Sequence, residues 1–157
     1  MGYVRRLPLL ALTVAPPAMA ALFGSLFAGT MPADLGVHDG RLKACGDKPN
    51  CVSSQATDAS HAIAPLAFRG EPATAMKALT AVVAAAPGAT VVNAQEAYLL
   101  ATFASSTMGF VDDVEFHVDG TRKVIDVRSA SRLGYSDLGA NRKRVEDLRR
   151  AFAAGDP

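Results

Sequence analysis

The chain has 157 residues, 50% of them hydrophobic, and its formal net charge is +1 at pH 7. This length suits a single domain behind a leader segment. The near-neutral charge argues against general nucleic-acid binding, which needs a strongly basic surface. The absence of Trp, with only 6% aromatic residues, argues against a large aromatic binding platform.

Residues 1–29 are typical of a targeting segment. Arg5 and Arg6 precede an uncharged stretch from Leu7 to Gly29, and a positive start followed by an apolar run marks an export signal or a membrane anchor. The Ala-Met-Ala sequence at 18–20 offers a cleavage site, whereas the uncharged run is long enough to cross a bilayer, which takes roughly 20 residues. A cleaved signal and a retained anchor both stay open. In either case we expect the remainder to be exported, periplasmic or anchored to the outer side of the cytoplasmic membrane.

Residues 30–60 are rich in Gly, Asp, Pro and Ser, which predicts a linker and a loop before the domain. The two cysteines of the chain, Cys45 and Cys51, lie here. In an oxidising compartment this spacing favours a disulfide that closes a small loop. A zinc site with His38 and His61 is an alternative that needs more ligands than the loop offers. A redox pair is a further alternative, although its usual spacing is Cys-x-x-Cys.

Residues 61–155 predict a single α+β domain. The stretch from His61 to Phe68 is interpreted as its first strand. A helix then begins near Pro72, because proline is tolerated in a first turn, and it ends before Pro87. Residues 89–106 are apolar, with β-branched and aromatic members, and predict two strands or one long bent strand. We expect a small antiparallel sheet with two helices packed on one face.

A β-hairpin is predicted at the centre of the domain. Apolar residues alternate with polar ones at period two, which marks strands with one buried face. Asp119-Gly120 is a turn signal because both residues tolerate positive φ. If Val118 opposes Lys123, the apolar side chains share one face, and the other face carries two opposed pairs: Asp113 with Arg128, and Glu115 with Asp126. We interpret that face as solvent-exposed with compensating charges, and a metal ion held there with His117 is the alternative.

Asp112 departs from this alternation, since its position places the carboxylate on the apolar face, opposite Ser129. A carboxylate that points inward must be paired or hydrogen-bonded, because an unpaired buried charge costs several kcal/mol. Ser129, Ser131 and Arg132 are the nearest candidates. Either the strand ends before Asp112, whose side chain then caps a loop, or a polar pocket lies at the end of the sheet.

The last helix is predicted to begin at a cap formed by Ser136 or Asp137 and to end at Gly155. One apolar stripe at helical spacing packs it on the core: Leu138, Val145, Leu148 and Phe152. Several Arg and Lys residues cover the rest of its surface, which is the usual composition of a solvated helix face.

An anion site is the sharpest hypothesis for this region. Arg128, Arg132 and Arg142 can converge with the N-terminus of the last helix, where Arg forks and free N–H groups together bind a phosphate, sulfate or carboxylate. The full set of candidate ligand-binding residues is Asp112, Asp113, Glu115, Arg128, Ser129, Ser131, Arg132, Asn141 and Arg142.

Four runs of this sequence resemble one known family. They are residues 48–54 (Lys-Pro-Asn-Cys-Val-Ser-Ser), 61–66 (His-Ala-Ile-Ala-Pro-Leu), 109–116 and 127–146. These runs are similar to the bacterial and plastid family catalogued as domain of unknown function 1499, over about residues 45–153. The resemblance implies an exported or membrane-associated protein, and it implies no particular activity.

Three classes of function stay open. The first, which we favour, is a non-catalytic binding or accessory module of the cell envelope that recognises a small anionic or lipidic ligand. The second is a hydrolase-like enzyme that uses the carboxylates of Asp112, Asp113 or Glu115. The third is an assembly protein that acts through contacts with a partner whose identity the sequence does not give. The sequence contains no catalytic triad order, no Gly-rich phosphate loop and no zinc signature, so we predict no cofactor and no metal.

Overall fold

The computed structural model describes residues 27–155, so the predicted leader at 1–29 lies almost entirely outside the described residues. The described part contains six strands and two helices. The strands are β1 Cys51–Ser53, β2 Leu66–Ala67, β3 Ala89–Ala94, β4 Tyr98–Ala104, β5 Val111–Asp119 and β6 Val124–Ser131. The helices are α1 Pro72–Ala85 and α2 Ala140–Ala154.

The six strands form one antiparallel sheet. Five of them follow the order β1-β6-β5-β4-β3, and β2 pairs with β6. Side chains of both helices join one apolar core with one face of this sheet, which confirms the predicted α+β fold. Within residues 27–155, no helix is both long enough and apolar enough to cross a membrane.

The core is built from the two periodicities that the sequence carries. Period-two alternation along β5 brings Val114 and Phe116 to the helix-covered face, and helical spacing along α1 brings Leu79 and Val83 against them. All four side chains are 0% exposed. Burial of each such side chain contributes about 1.5–3 kcal/mol to folding, so the core holds both helices on this face.

The predicted helix at Pro72 and the strands of residues 89–106 are present as α1, β3 and β4. The predicted strand from His61 to Phe68 is reduced to the two residues of β2. The reason lies in His61, which is buried and held by side-chain contacts with Asp58 and with the carbonyl of Lys48. These contacts fold the chain into a loop before it reaches the sheet.

The central hairpin has the predicted faces but not the predicted register. Val118 lies opposite Ile125 rather than Lys123. The reason is the turn, which spans four residues instead of two. The Asp119 carboxylate accepts hydrogen bonds from two backbone N–H groups of the turn, at 3.0 and 2.9 Å, and Lys123 adopts a left-handed φ of 55°.

This shift of two residues keeps every side chain on its face and changes its partner across the ladder. Glu115 lies opposite Arg128, so the expected juxtaposition of Glu115 with Asp126 is wrong. Asp113 pairs through its side chain with Arg132, not with Arg128 as the predicted register implied. The hairpin therefore sets opposite charges against each other where the prediction placed like charges.

The charged face of the sheet is covered, and our interpretation of it as solvent-exposed is wrong. Residues 27–44 run across it. The Gly36 N–H donates to the Glu115 carboxylate at 2.7 Å, and the carbonyl of Ala28 accepts from Arg132 at 3.4 Å. Glu115 is 0% exposed as a result. The sheet thus has an apolar layer on one side and a buried ionic layer on the other.

The helix α2 begins later than the sequence predicted. Its N-cap is Gly139, with a φ of 84°, so Leu138 lies before the helix instead of in its apolar stripe. The Leu138 side chain is 96% exposed. Asn141, which is 0% exposed, begins the buried face in its place, four residues before Val145.

A disulfide joins Cys45 to Cys51, with 5.7 Å between their Cα atoms, and confirms the predicted bridge. Because β1 begins at Cys51, the bridge ties the 45–51 loop to the sheet. The division of the chain at residues 29 and 60 stays a prediction, although β1, which lies within 30–60, is part of the sheet.

Candidate ligand-binding site

The candidate residues divide between the two faces of the sheet, since neighbours along a strand point to opposite sides. The helix-covered face carries four of them: Asp112, Ser129, Ser131 and Asn141. The opposite face carries four others: Asp113, Glu115, Arg128 and Arg132. The ninth, Arg142, belongs to neither group.

An arginine absent from the predicted set organises the helix-covered group. One terminal nitrogen of Arg144 donates to the Asp112 carboxylate at 2.5 Å. The other lies 3.1 Å from Ser129 Oγ and 2.7 Å from Asn141 Oδ1. The guanidinium lies over the Phe103 ring, 4.8 Å from its centroid, in a cation–π contact. Asp112 is 7% exposed, and the pairing with Arg144 explains how an inward carboxylate is tolerated.

Asn141 joins this group to the loop before the helix. Its side-chain amide nitrogen lies 3.1 Å from the carbonyl of Asn50, 3.0 Å from Ser131 Oγ and 2.8 Å from Asp137 Oδ2. Ser131 is also the residue opposite Asp112, a place that the predicted register gave to Ser129. Buried polar groups that are fully hydrogen-bonded in this way hold one geometry.

Asp137 caps the start of α2 from two residues before Gly139. Its carboxylate accepts hydrogen bonds from the backbone N–H groups of Gly139 at 3.0 Å and Asn141 at 2.8 Å. Burial raises the pKa of Asp137, but these hydrogen bonds outweigh that effect and hold the pKa below its ordinary value. The sequence placed the cap at Ser136 or Asp137, and Asp137 supplies the acceptor although Gly139 occupies the cap position.

A cavity of about 420 Å³ opens at this end of the sheet. Its polar floor consists of Asp112, Ser131, Asp137 and Arg144. Its rim carries the hydroxyl side chains of Ser105, Thr107 and Ser136 and four large apolar side chains, here called the apolar rim: Met108, Phe110, Leu133 and Leu138. The two loops that follow β4 and β6 supply the rim, so the ends of two strands and the first turn of α2 together shape the cavity. A smaller cavity of about 300 Å³ on the side of Phe103 shares Ser105, Ala140 and Arg144 with it.

The opposite face holds two ion pairs between candidate residues, both covered by residues 27–44. Two guanidinium nitrogens of Arg132 donate hydrogen bonds to the Asp113 carboxylate, at 2.9 and 2.7 Å. Arg128 donates to Glu115 at 3.3 Å, and the Tyr98 hydroxyl donates to the same carboxylate at 2.9 Å. Burial, followed by the Glu115 charge, raises the pKa of the Tyr98 hydroxyl, so it stays protonated and keeps donating.

The structure does not bring the three arginines of the anion hypothesis together. Arg128 and Arg132 are engaged with carboxylates on the sealed face. Arg142 donates instead to the backbone carbonyls of Ala62 at 2.8 Å and Ser60 at 3.1 Å. These bonds fix α2 to the loop before β2, which is a structural role.

The three carboxylates of the hydrolase hypothesis are also separated. Asp112 lines the cavity, whereas Asp113 and Glu115 lie on the other side of the sheet under residues 27–44. Among the described residues no group of three or more His, Cys, Asp or Glu side chains is arranged to hold a metal ion. Of the candidate residues, Asp112 and Ser131 therefore line open space, in the cavity beside Arg144.

Comparison with known proteins places the chain in one family. The family model described as "Protein of unknown function (DUF1499)" matches residues 41–152. This match covers more than half of the sequence, so the chain belongs to that family, as the resemblance of its motifs predicted. No curated protein and no solved structure matches the chain.

Proposed function

We propose that this member of the family is a non-catalytic binding module of the cell envelope, and that its cavity takes a small lipid-like molecule. The observation that carries the proposal is the two-part wall of the cavity. Its rim carries four large apolar side chains, and its floor is a fixed set of hydrogen-bonding groups. A ligand with an apolar body and a polar head matches both parts.

The size of the cavity supports a small ligand. Its volume of about 420 Å³ lies within the range of roughly 300–1,000 Å³ that small-molecule sites occupy. The floor is organised in advance, because Arg144 is already held by Asp112, Ser129 and Asn141. Groups that are positioned before binding lower the entropic cost of capturing a ligand.

The charges of the floor favour a neutral head over an anionic one. Asp112 and Asp137 contribute two carboxylates, and Arg144 contributes one guanidinium that already faces Asp112. Asp137 also occupies two of the N–H groups at the start of α2, which would otherwise attract an anion. Of the anionic and lipidic ligands expected from sequence, the geometry therefore supports the lipidic one.

The same geometry supports binding over catalysis. A carboxylate that acts as a general acid or base must lie within hydrogen-bond reach of the reacting group. Of the carboxylates that the hydrolase hypothesis requires, only Asp112 faces the cavity, while Asp113 and Glu115 are enclosed on the far side of the sheet. A hydroxyl-rich neutral head can instead donate to Asp112 and Asp137 and accept from Ser131.

Photolabelling of the full chain tests this proposal. A monoacylglycerol with a diazirine in its acyl chain is activated on the purified protein, and the labelled peptides are mapped by mass spectrometry. We expect adducts within residues 105–110 and 133–140. Unlabelled monolauroylglycerol should compete for the site at lower concentration than lauric acid, because only the acid adds a negative charge to the floor.

Two matched variants locate the site. Leu133→Asp places a charge in the rim, and Val92→Asp makes the same change at an exposed apolar residue of β3 (the two side chains are 41% and 49% exposed). Leu133→Asp should reduce saturable labelling at least about tenfold, because a bound acyl chain would cover the new charge and its desolvation costs more than the 1.4 kcal/mol of a tenfold change. Val92→Asp should leave labelling unchanged. Labelling that is scattered, or lost equally in both variants, rules the cavity out as a lipid site.

A further inference from the structure

The exposed apolar residues of this protein are gathered at one end. Within residues 27–155, six large apolar side chains are exposed. Three of them belong to the apolar rim: Met108, Leu133 and Leu138. Phe27 packs against the rim residue Phe110, with 5.3 Å between ring centroids. Tyr135 lies between Gly134 and Ser136, which both line the cavity. Only Val92 lies elsewhere, so the distribution is not that of scattered surface residues.

Leu138 is held outward by its backbone. Its φ is 53°, a left-handed conformation that costs a leucine roughly 1–2 kcal/mol. The Ser136 hydroxyl accepts a hydrogen bond from the Leu138 N–H at 3.2 Å, and the Asp137 carboxylate accepts one from the Gly139 N–H. These bonds keep a 96% exposed leucine at the cavity mouth. Strain that is maintained in this way points to a use for the exposed side chain.

The chain also enters the domain at this place. The uncharged stretch from Leu7 to Gly29 ends beside the rim. The carbonyl of Ala28 accepts a hydrogen bond from Arg132, and the backbone of Gly29 lies against Leu133. A run of apolar sequence therefore reaches the domain at the same end as its exposed apolar side chains.

We propose that this end docks on the surface of a lipid bilayer, with the mouth of the cavity facing the lipid. The docking surface consists of Phe27, Met108, Leu133, Tyr135 and Leu138. This inference rests on the proposed function in one respect, since the bilayer is the source from which the cavity takes its ligand. A protruding leucine and two aromatic side chains suit the boundary between headgroups and acyl chains, where such residues are buried about 5–10 Å deep.

A bilayer fits this surface better than a second protein does. The uncharged segment that leads into Phe27 is long enough to enter a bilayer, and a bilayer that received it would lie directly against the docking surface. The polar floor behind the rim carries more acidic than basic side chains. A zwitterionic phosphatidylcholine surface is therefore sufficient, and anionic lipid is not required.

The absence of Trp from the chain gives a direct test. The full chain is reconstituted in phosphatidylcholine vesicles with one tryptophan introduced at a time, by Leu138→Trp or Met108→Trp. Brominated phosphatidylcholine then quenches any tryptophan that reaches the lipid. The control is Thr121→Trp, in the exposed turn at the other end of the hairpin, which the nine residues of β5 at about 3.3 Å each place about 30 Å away.

We expect Leu138→Trp and Met108→Trp to lose most of their emission to brominated lipid and to shift to shorter wavelength, and Thr121→Trp to do neither. If both rim tryptophans resist quenching as Thr121→Trp does, the docking surface does not meet the bilayer. Emission that shifts with protein concentration and not with lipid also overturns the proposal, because it indicates an interface between protein copies. The photolabelling result is separate: quenching without saturable labelling retains the docking surface and removes the lipid cavity.

Discussion

The buried ion pair between Glu115 and Arg128 should tolerate joint replacement by apolar residues far better than replacement of one partner. Glu115 is 0% exposed and accepts hydrogen bonds from the Gly36 N–H, the Tyr98 hydroxyl and Arg128, at 2.7, 2.9 and 3.3 Å. Arg128 is 5% exposed. Neither charge can be solvated if its partner is removed, and such a loss costs about 3–5 kcal/mol.

The three variants have different expected costs. Glu115→Met should cost about 5 kcal/mol, near the upper end of this range. It leaves the Arg128 charge unpaired and leaves the Gly36 N–H and the Tyr98 hydroxyl without an acceptor. Arg128→Met should cost about 3 kcal/mol, since Glu115 keeps the donors from Gly36 and Tyr98. The double variant leaves no buried charge unpaired. It should cost only about 2–3 kcal/mol, from two donors left without an acceptor, instead of the sum of the single costs.

The measurement is urea unfolding of the oxidised chain, followed by far-ultraviolet circular dichroism because the chain has no Trp. The matched control is the exposed pair of Lys143 and Asp147 on α2, whose side chains are 78% and 43% exposed. Its double-mutant cycle should give a coupling of about 0.3–0.5 kcal/mol. If Glu115→Met costs less than about 1 kcal/mol, or if the two single costs add in the double variant, residues 27–44 do not seal the pair as the structure indicates.

Three further predictions concern conformation and pH. Leu138→Gly should stabilise the domain by about 1 kcal/mol, because glycine adopts positive φ freely, while it weakens bilayer docking; a melting temperature that falls contradicts the strain at this residue. Asp137→Ala should cost about 1–2 kcal/mol near pH 7. The pKa of Asp137 in the folded protein lies below 3.8, so its stabilising contribution is present above pH 3.8 and is lost as pH falls through that folded pKa. If Asp137→Ala still destabilises the domain at lower pH, the capping role of the Asp137 carboxylate is refuted. Both ring nitrogens of His61 face acceptors, the Lys48 carbonyl and the Asp58 carboxylate, which raise its pKa above 6.5. Its contribution to stability is therefore present below pH 6.5 and lost as pH rises through the folded value, and a nuclear magnetic resonance titration that gives a pKa of 6.5 or less contradicts this.

The faces of the strands were predictable because side-chain polarity alternates with the pleat. Alternation placed Asp112 on the apolar face if the strand included it, and β5 does include it, so the alternative in which the strand ends before Asp112 is wrong. Its partner was not expected, because Arg144 lies 32 residues away and belongs to a helix whose basic residues resemble a solvated face. One signal was available: Arg144 comes three residues after Asn141 and four before Leu148, so it borders the buried stripe of α2.

The cover of the charged face could not be predicted for a different reason. Residues 27–44 make several of their contacts through the backbone, including the N–H of Gly36 and the carbonyl of Ala28. Every residue except proline carries these same two groups, so no pattern of side chains indicates where they will bind. The predicted hairpin register was wrong for a similar reason, since Asp119 orders the turn by accepting hydrogen bonds from backbone N–H groups.

The pairing of charges shows why function is expected at only one of the two polar layers. Each of the three neighbouring carboxylates on β5 faces its own guanidinium, but Asp113 and Glu115 are enclosed by the chain itself and have no route to a ligand. Of these three pairs, the pair of Asp112 with Arg144 lines the cavity among the described residues. A ligand head that enters this space can exchange hydrogen bonds with Asp112 without unfolding anything, whereas the same exchange at Glu115 would require residues 27–44 to detach. The sealed layer therefore serves to fix the sheet, whereas the layer beside the apolar rim, where Ala28 and Gly29 also lie, is the one that a molecule arriving from outside can reach.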